Sequence, residues 1–315
     1  MRFRDAPRPP EQSRERQQRA SRARAVALAS LIAVAVALGA IVIAYAAGSG
    51  SRGSGTTESA KRGAGAGQTG AAGTAAVPIL MYHVIGVQPP QSTAPPALYV
   101  PADQFASQMS ALKAAGWHAV TLDQLEAYWT RGVSLGPGNP IVITFDRGYA
   151  SQYTNALPVL KQLGWVGVEN LQVNGLSPSD GGLTDAQVRG LIAAGWELDT
   201  QGISHADLVT LDADQLSYEV ATARQTLQSR YGAPVNWYSY PSGDYDATVI
   251  AAVRSAGFAG STTVNPGWAS PQQNRYALPR LQVVSGTTGP ELLAQIAAAK
   301  ATTTAPSSYT GAGLA

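Results

Sequence analysis

The chain has 315 residues, 45% of them hydrophobic and none of them cysteine. It is long enough for one well-buried domain with segments to spare, and it has neither disulfides nor a thiolate nucleophile or metal ligand. The formal charge of +2 hides an asymmetry: residues 1–24 carry eight arginines against Asp5, Glu11 and Glu15, whereas from Val77 onward eleven basic side chains face sixteen acidic ones. A net-negative globular part lacks the basic footprint of a nucleic-acid binder, so no nucleic acid is expected as a partner.

The basic tail, residues 1–24, precedes an uncharged and almost wholly apolar run, residues 25–47. That length suits one membrane-spanning helix. The arginines before it predict a cytoplasmic N-terminus and an extracytoplasmic remainder, a single-pass protein of the cell membrane. Ala44-Tyr45-Ala46 has the small-x-small form of a signal-peptide cleavage site, but the apolar run is longer than the usual signal core, which favours an uncleaved signal anchor. Residues 48–76 repeat Gly, Ser and Ala with no apolar period and read as a flexible tether of about 25–30 Å. Residues 302–315 read as a disordered tail.

Between these, residues 77–301 read as one α/β domain. A helix-like segment, then Gly, then an aromatic residue opening an apolar strand recurs four times: Gly116-Trp117, Gly164-Trp165, Gly195-Trp196 and Gly257-Phe258. Gly closes a helix in the left-handed conformation, and the aromatic suits the strand that follows. Phe105, Met109 and Leu112 form a helical stripe, as do Val188, Leu191 and Ile192, the latter behind Thr184 as N-cap. Strands are predicted at 77–82, 119–122, 141–145, 166–173, 196–200 and 237–240. Strands alternating with helices give a parallel sheet. About seven such units without a dinucleotide fingerprint point to a closed or nearly closed barrel, with its chemistry at the carboxyl ends of the strands.

Those ends carry the informative residues. The first strand runs into Tyr82-His83, the third into Thr144-Phe145-Asp146-Arg147-Gly148-Tyr149, the fifth into Gln201-Gly202-Ile203-Ser204-His205-Ala206-Asp207-Leu208, and the sixth into Tyr240-Pro241-Ser242-Gly243-Asp244-Tyr245. Four such motifs in this order resemble the polysaccharide deacetylase (NodB-homology) family of carbohydrate esterases. The resemblance implies a distorted (β/α)7-type barrel and a hydrolase of carbon–nitrogen, non-peptide bonds that deacetylates N-acetyl sugars. In that family a zinc-type divalent metal polarises the amide carbonyl and its bound water, and a carboxylate takes the proton. By position the resemblance makes Asp146 the base, His205 a metal ligand and His83 a possible acid. It gives Tyr240 and Pro241 to the substrate groove.

The departures are as specific as the matches. Arg147 stands where the family has its metal-binding Asp, and Gln201 where it has the first ligand His. A guanidinium is permanently charged and repels a cation. No metal is therefore expected, unless Asp199 or Glu169 substitutes as a ligand. Asp146 is equally readable as an ion-pair partner of Arg147, Asp199 as another such partner, and His83 and His205 as ordinary hydrogen-bonded histidines. Glu169 stands in a strand position that relatives fill with apolar residues: either it is buried and needs a partner, for which Arg147 is the candidate, or the strand is locally exposed. Trp237, Tyr238, Tyr245 and Trp268 are either sugar-stacking faces or core. Three functions follow: a pseudoenzyme that binds cell-envelope polysaccharide or peptidoglycan, an active deacetylase with an unorthodox site, or a docking protein of the envelope.

Overall fold

The computed structural model describes residues 71–90, 92, 94–176, 181–301 and 306–311. The basic tail, the expected membrane segment 25–47 and most of the tether lie outside these residues. Among the described residues no helix is long and apolar enough to cross a membrane.

Strand β1 (Val77–Tyr82) opens the domain, and β2 (Val84–Ile85) pairs with β3 (Tyr99–Val100) in a small sheet of its own. The main sheet continues with β4 (Trp117–Val120), β5 (Asn139–Arg147), β6 (Val168–Leu171), β7 (Glu197–Thr200), β8 (Trp237–Ser239) and β9 (Gly260–Thr262). Two short strands, β10 (Trp268–Ala269) and β11 (Leu281–Gln282), complete it. Six strands run parallel in the order β1-β5-β6-β7-β8-β9, and β4 pairs in parallel with the first half of β5, on the edge opposite β1.

The (β/α)7 expectation is met as a half-barrel of these six strands. The seventh position is filled by an irregular segment around Leu278–Gln282. At one end Leu278 exchanges backbone hydrogen bonds with Ser261 and Thr263 beside β9, at 3.0 and 2.9 Å. At the other end Leu281 and Gln282 pair with Leu80 and Met81 of β1. Pro279 has no N–H to donate to a ladder, which explains why a full strand does not form between the two.

The four glycines predicted to close helices all do so left-handed: Gly116, Gly164, Gly195 and Gly257 have φ of 81°, 72°, 88° and 80°. Thr184 caps the helix Asp185–Ala193 with a reciprocal box to Gln187, as its position suggested. Phe105, Met109 and Leu112 of the helix Ala102–Ala114 are fully buried against Tyr82 and Phe145 on the outer face of the sheet. The aromatics Trp165, Trp196 and Phe258 that follow three of the glycines are buried between sheet and helices.

Both ends of the domain extend past the expected limits. Gly73 N–H donates to the Tyr128 carbonyl at 2.9 Å, and the Trp129 indole donates to the Ala75 carbonyl, so the end of the expected tether already packs on the domain. Residues 306–311, expected in a disordered tail, lie against it too. Tyr309 forms a two-way backbone bridge with Tyr245, whose hydroxyl donates to the Pro306 carbonyl at 2.6 Å. The Tyr309 ring also packs, half-buried, against the core cluster that includes Tyr245.

Candidate active site

Asp146 ends β5 inside the half-barrel and is 1% exposed. The register aligns it with Asn170 on β6, whose amide donates to Asp146 Oδ1 at 2.7 Å. Its main partner is Arg280, from the irregular seventh position. The guanidinium meets the carboxylate side-on, Nη1 to Oδ1 and Nη2 to Oδ2, each at 2.8 Å. Arg280 spends its remaining donors on Thr144 Oγ1, Ser239 Oγ and the Thr263 carbonyl, so all five N–H groups are used. Gln201 Nε2 and Ser239 Oγ approach Asp146 Oδ2 at 3.4 and 3.3 Å. Burial pushes the Asp146 carboxyl up, but the Arg280 charge and its hydrogen bonds outweigh burial and hold it below its ordinary value.

The expected ion pair between Asp146 and Arg147 is therefore absent: the adjacent cation points its chain elsewhere, and the partner comes from 134 residues away. Arg147 has φ of 76° and Gly148 of 89°, two successive left-handed residues that turn the chain out of the strand. Adjacent residues of a strand face opposite sides, so Arg147 cannot share the carboxylate's side without that turn. Its Nε is buried with no hydrogen-bond partner among the described residues.

His83 follows β1 and is 1% exposed. His205 lies on the loop after β7 with φ of 63°. Each has a buried Nε2 without a partner. Burial lowers His83 to about 4, with Asp146 opposing and Arg280 and Arg147 reinforcing the shift. Burial and then the charge of Arg147 lower His205 to about 4 as well. Both imidazoles are accordingly neutral at ordinary pH, and Arg147, Asp146 and His83 all lie within electrostatic reach of His205.

Two π-helical turns hold these loops, a device that often marks functional sites. In the turn Gln152–Ala156, Gln152 donates to the carbonyls of His83 and Asp146, both at 2.9 Å. In the turn Tyr218–Thr222, the Glu219 carboxylate accepts from Ile203 N–H at 2.9 Å and Ser204 N–H at 3.0 Å, and from the Ser204 hydroxyl. It thereby fixes the Gln201–His205 loop. Arg280, Asn170, Gln152, Ser239 and Glu219 were all missed in the sequence. For Arg280 a signal existed: a single cation in the apolar run Ala277-Leu278-Pro279-Arg280-Leu281.

Other expectations are corrected. Asp199 neither pairs with Arg147 nor reaches the site as a ligand. Its Oδ1 accepts the backbone N–H groups of Asn236 and Trp237 at 2.9 and 2.8 Å, deeper in the half-barrel. Glu169 does not pair with Arg147 either; it is 1% exposed with neither oxygen partnered among the described residues, and burial, then the Asp146 charge, raises it well above its ordinary value. Trp237, Tyr238 and Tyr245 are core residues, not stacking faces. Tyr240 and Pro241 are buried too: the Tyr240 ring stacks on Tyr245 and its hydroxyl donates to the Tyr276 carbonyl. Their side chains are core, and neither offers an exposed face to a ligand.

A zinc-type cation asks for imidazole and carboxylate lone pairs. Here the five donors around Asp146 leave it little free basicity, Gln201 turns its amide N–H toward that carboxylate, and Arg147 brings a fixed positive charge. Of the positions that the family resemblance gives to metal ligands, only His205 keeps a good lone-pair donor. The residues do not fit the metal, and among the described residues no group of three His, Asp or Glu side chains is arranged to hold one.

The family model "Polysaccharide deacetylase" matches residues 135–261, the stretch from β5 to β9. YxkH of Bacillus subtilis (strain 168), a polysaccharide deacetylase by name, is 29% identical over 68% of this chain and 74% of its own length. Among solved structures, the Streptococcus pyogenes deacetylase PplD in complex with acetate superposes with a TM-score of 0.64 at 25% identity, covering 71% of this chain and 99% of that one. BA0330 of Bacillus anthracis, another polysaccharide deacetylase by name, gives 0.63 at 25% identity over 71% and 69%. Over residues 135–261 the chain is similar to the polysaccharide deacetylase family, and its fold superposes on those of these solved deacetylases.

Proposed function

We propose that this chain is a membrane-anchored pseudoenzyme, which binds N-acetylated glycan of the cell envelope through its deacetylase-type domain without hydrolysing it. The observation that carries the reading is the state of Asp146. A general base must have a lone pair free for the proton it takes, and this carboxylate is closed by Arg280, Asn170, Gln201 and Ser239. The cation that would activate water meets Arg147 instead of a carboxylate. The uncharged run 25–47 behind eight arginines supports anchoring with the domain outside the cell. The family relation and the acetate in the PplD structure support a sugar-amide ligand class.

Metal analysis of the purified chain tests this directly. The expected result is no stoichiometric zinc, cobalt or nickel, and no acetate released from N-acetylglucosamine oligomers. One tightly held equivalent that is lost in His205→Ala would overturn it. The paired change Arg147→Asp with Gln201→His restores a carboxylate and an imidazole beside His205 and removes the guanidinium. Calorimetry should then detect divalent-metal binding absent from the parent.

A further inference from the structure

We propose that the position given up by the cation is a seat for a carboxylate, so that the glycan taken up by this domain is an acidic one read by Arg147. The proposal rests on the glycan-binding reading above and names the class of sugar: residues bearing a carboxylate on the ring or on an ether side arm.

Two arginines stand at the mouth of the half-barrel, and their situations are opposite. Arg280 is 0% exposed and every donor it has is spent, two of them on Asp146, so that pair is electrically closed. Arg147 makes no salt bridge among the described residues. Its Nε is buried without an acceptor. A buried guanidinium N–H with no partner is costly unless a ligand or water supplies the oxygen.

The surroundings make this a site and not one stray side chain. His83 and His205 each hold a buried Nε2 with no partner, and His83 is 1% exposed. Gln201 Oε1 and Asn170 Oδ1 are buried and unpartnered too, with their amide ends turned to Asp146. Arg147 Nε, the two imidazole Nε2 atoms, Gln201 Oε1 and Asn170 Oδ1 are thus five buried polar atoms near Asp146 with no partner among the described residues. Two non-glycine residues here, Arg147 and His205, are held left-handed, a conformation that side chains with a Cβ adopt only at a cost. Strain of this kind persists where the surrounding structure imposes it. Glu219 imposes it on the His205 loop through three hydrogen bonds.

The fixed charge left over is a single positive one. A carboxylate cancels it one for one, and its two coplanar oxygens match the guanidinium fork. A phosphate dianion would leave a negative charge uncancelled in a buried place. The free acceptors of Gln201 and Asn170 suit the hydroxyl groups of the same sugar.

The test compares two tetrasaccharides of equal length on the full chain in detergent: one alternating glucuronate with N-acetylglucosamine, the other N-acetylglucosamine throughout. Calorimetry at low salt should find the acidic oligomer about tenfold or more tighter, the size of a charge-assisted hydrogen bond. Arg147→Asn removes the charge with a residue that tolerates the left-handed conformation, and should bring the two oligomers to equal affinity. Arg147→Lys should keep part of the preference, and unfolding curves of both variants check that they fold. Equal binding of the two oligomers by the parent would overturn the carboxylate seat while leaving glycan binding intact. An acidic preference that survives Arg147→Asn would overturn the role of Arg147. Failure of both oligomers to bind would sink the glycan reading and the seat with it.

Discussion

Carboxylates at two levels of the same half-barrel have opposite fates. At the carboxyl ends of the strands, Asp146 is matched by Arg280 and held below its ordinary pKa. Toward the other end, the buried Asp199 and half-buried Glu197 on β7 and the half-buried Asp123 on the helix Leu122–Arg131 make no salt bridge among the described residues. Asp199 accepts from the backbone at the start of β8, Glu197 Oε2 accepts from Asp123 N–H at 2.9 Å, and Asp123 accepts from the side chains of Asn236 and Trp237. Burial lifts Glu197 to about 7, Asp123 adding to it and the hydrogen bond shared with Asp199 opposing it. Burial and then the Glu197 charge raise Asp199 well above its ordinary value. Depth alone raises a carboxyl; a guanidinium placed side-on reverses the sign.

The sharpest way to break the contrast is to take away the guanidinium. Arg280→Met leaves Asp146 buried with neutral donors only, and should cost about 3–5 kcal/mol of stability in urea unfolding. Asp146→Asn added to it should recover much of that loss, because the buried charge goes too. A loss below about 1 kcal/mol for Arg280→Met would show that the pair does not carry the charge of the site.

The cation-free group makes a pH prediction of opposite sign to Asp146. The folded pKa of Glu197 lies above its ordinary value of 4.5, so the folded state holds the proton longer than the unfolded one. Its contribution is greatest below about 4.5 and falls as pH rises to about 7, by roughly 1–3 kcal/mol at ~1.4 kcal/mol per unit. The stability difference between the parent and Glu197→Gln should therefore shift against the parent across that window, with Asp123 and Asp199 facing the group in both. The Asp146 contribution is present above its ordinary value of 3.8 and is lost as pH falls below it. A difference between parent and Glu197→Gln that stays flat from pH 4.5 to 7 would mean that Glu197 titrates as it does in water.

Glu169 gives the smallest effect. With no cation and no partner among the described residues it stays protonated, and Glu169→Gln is nearly isosteric with that form. The change should alter stability by less than about 1 kcal/mol at pH 7. A loss of several kcal/mol would instead reveal an ionised Glu169 with a partner.

Much of this protein was readable one segment at a time. The helix ends at Gly116, Gly164, Gly195 and Gly257, the cap at Thr184 and the strand β1 follow from near-neighbour preferences, since a left-handed glycine or a threonine cap acts within a few residues. The motif residues Asp146, Arg147, Gln201 and His205 were likewise placed at strand ends by their local context. The partner of Asp146 was not readable in this way. Arg147 is next to it in sequence yet makes no ion pair with it, while Arg280 reaches it because an irregular segment broken by Pro279 runs between β9 and β1. Asp199 was misplaced for the same reason: alternation gave its face, and only the pairing of β7 with β8 brought two backbone N–H groups to its oxygen. Local energetics determined the elements and where the chemistry would sit; strand order and closure, which bring together residues more than a hundred positions apart, decided which charge each buried carboxylate meets.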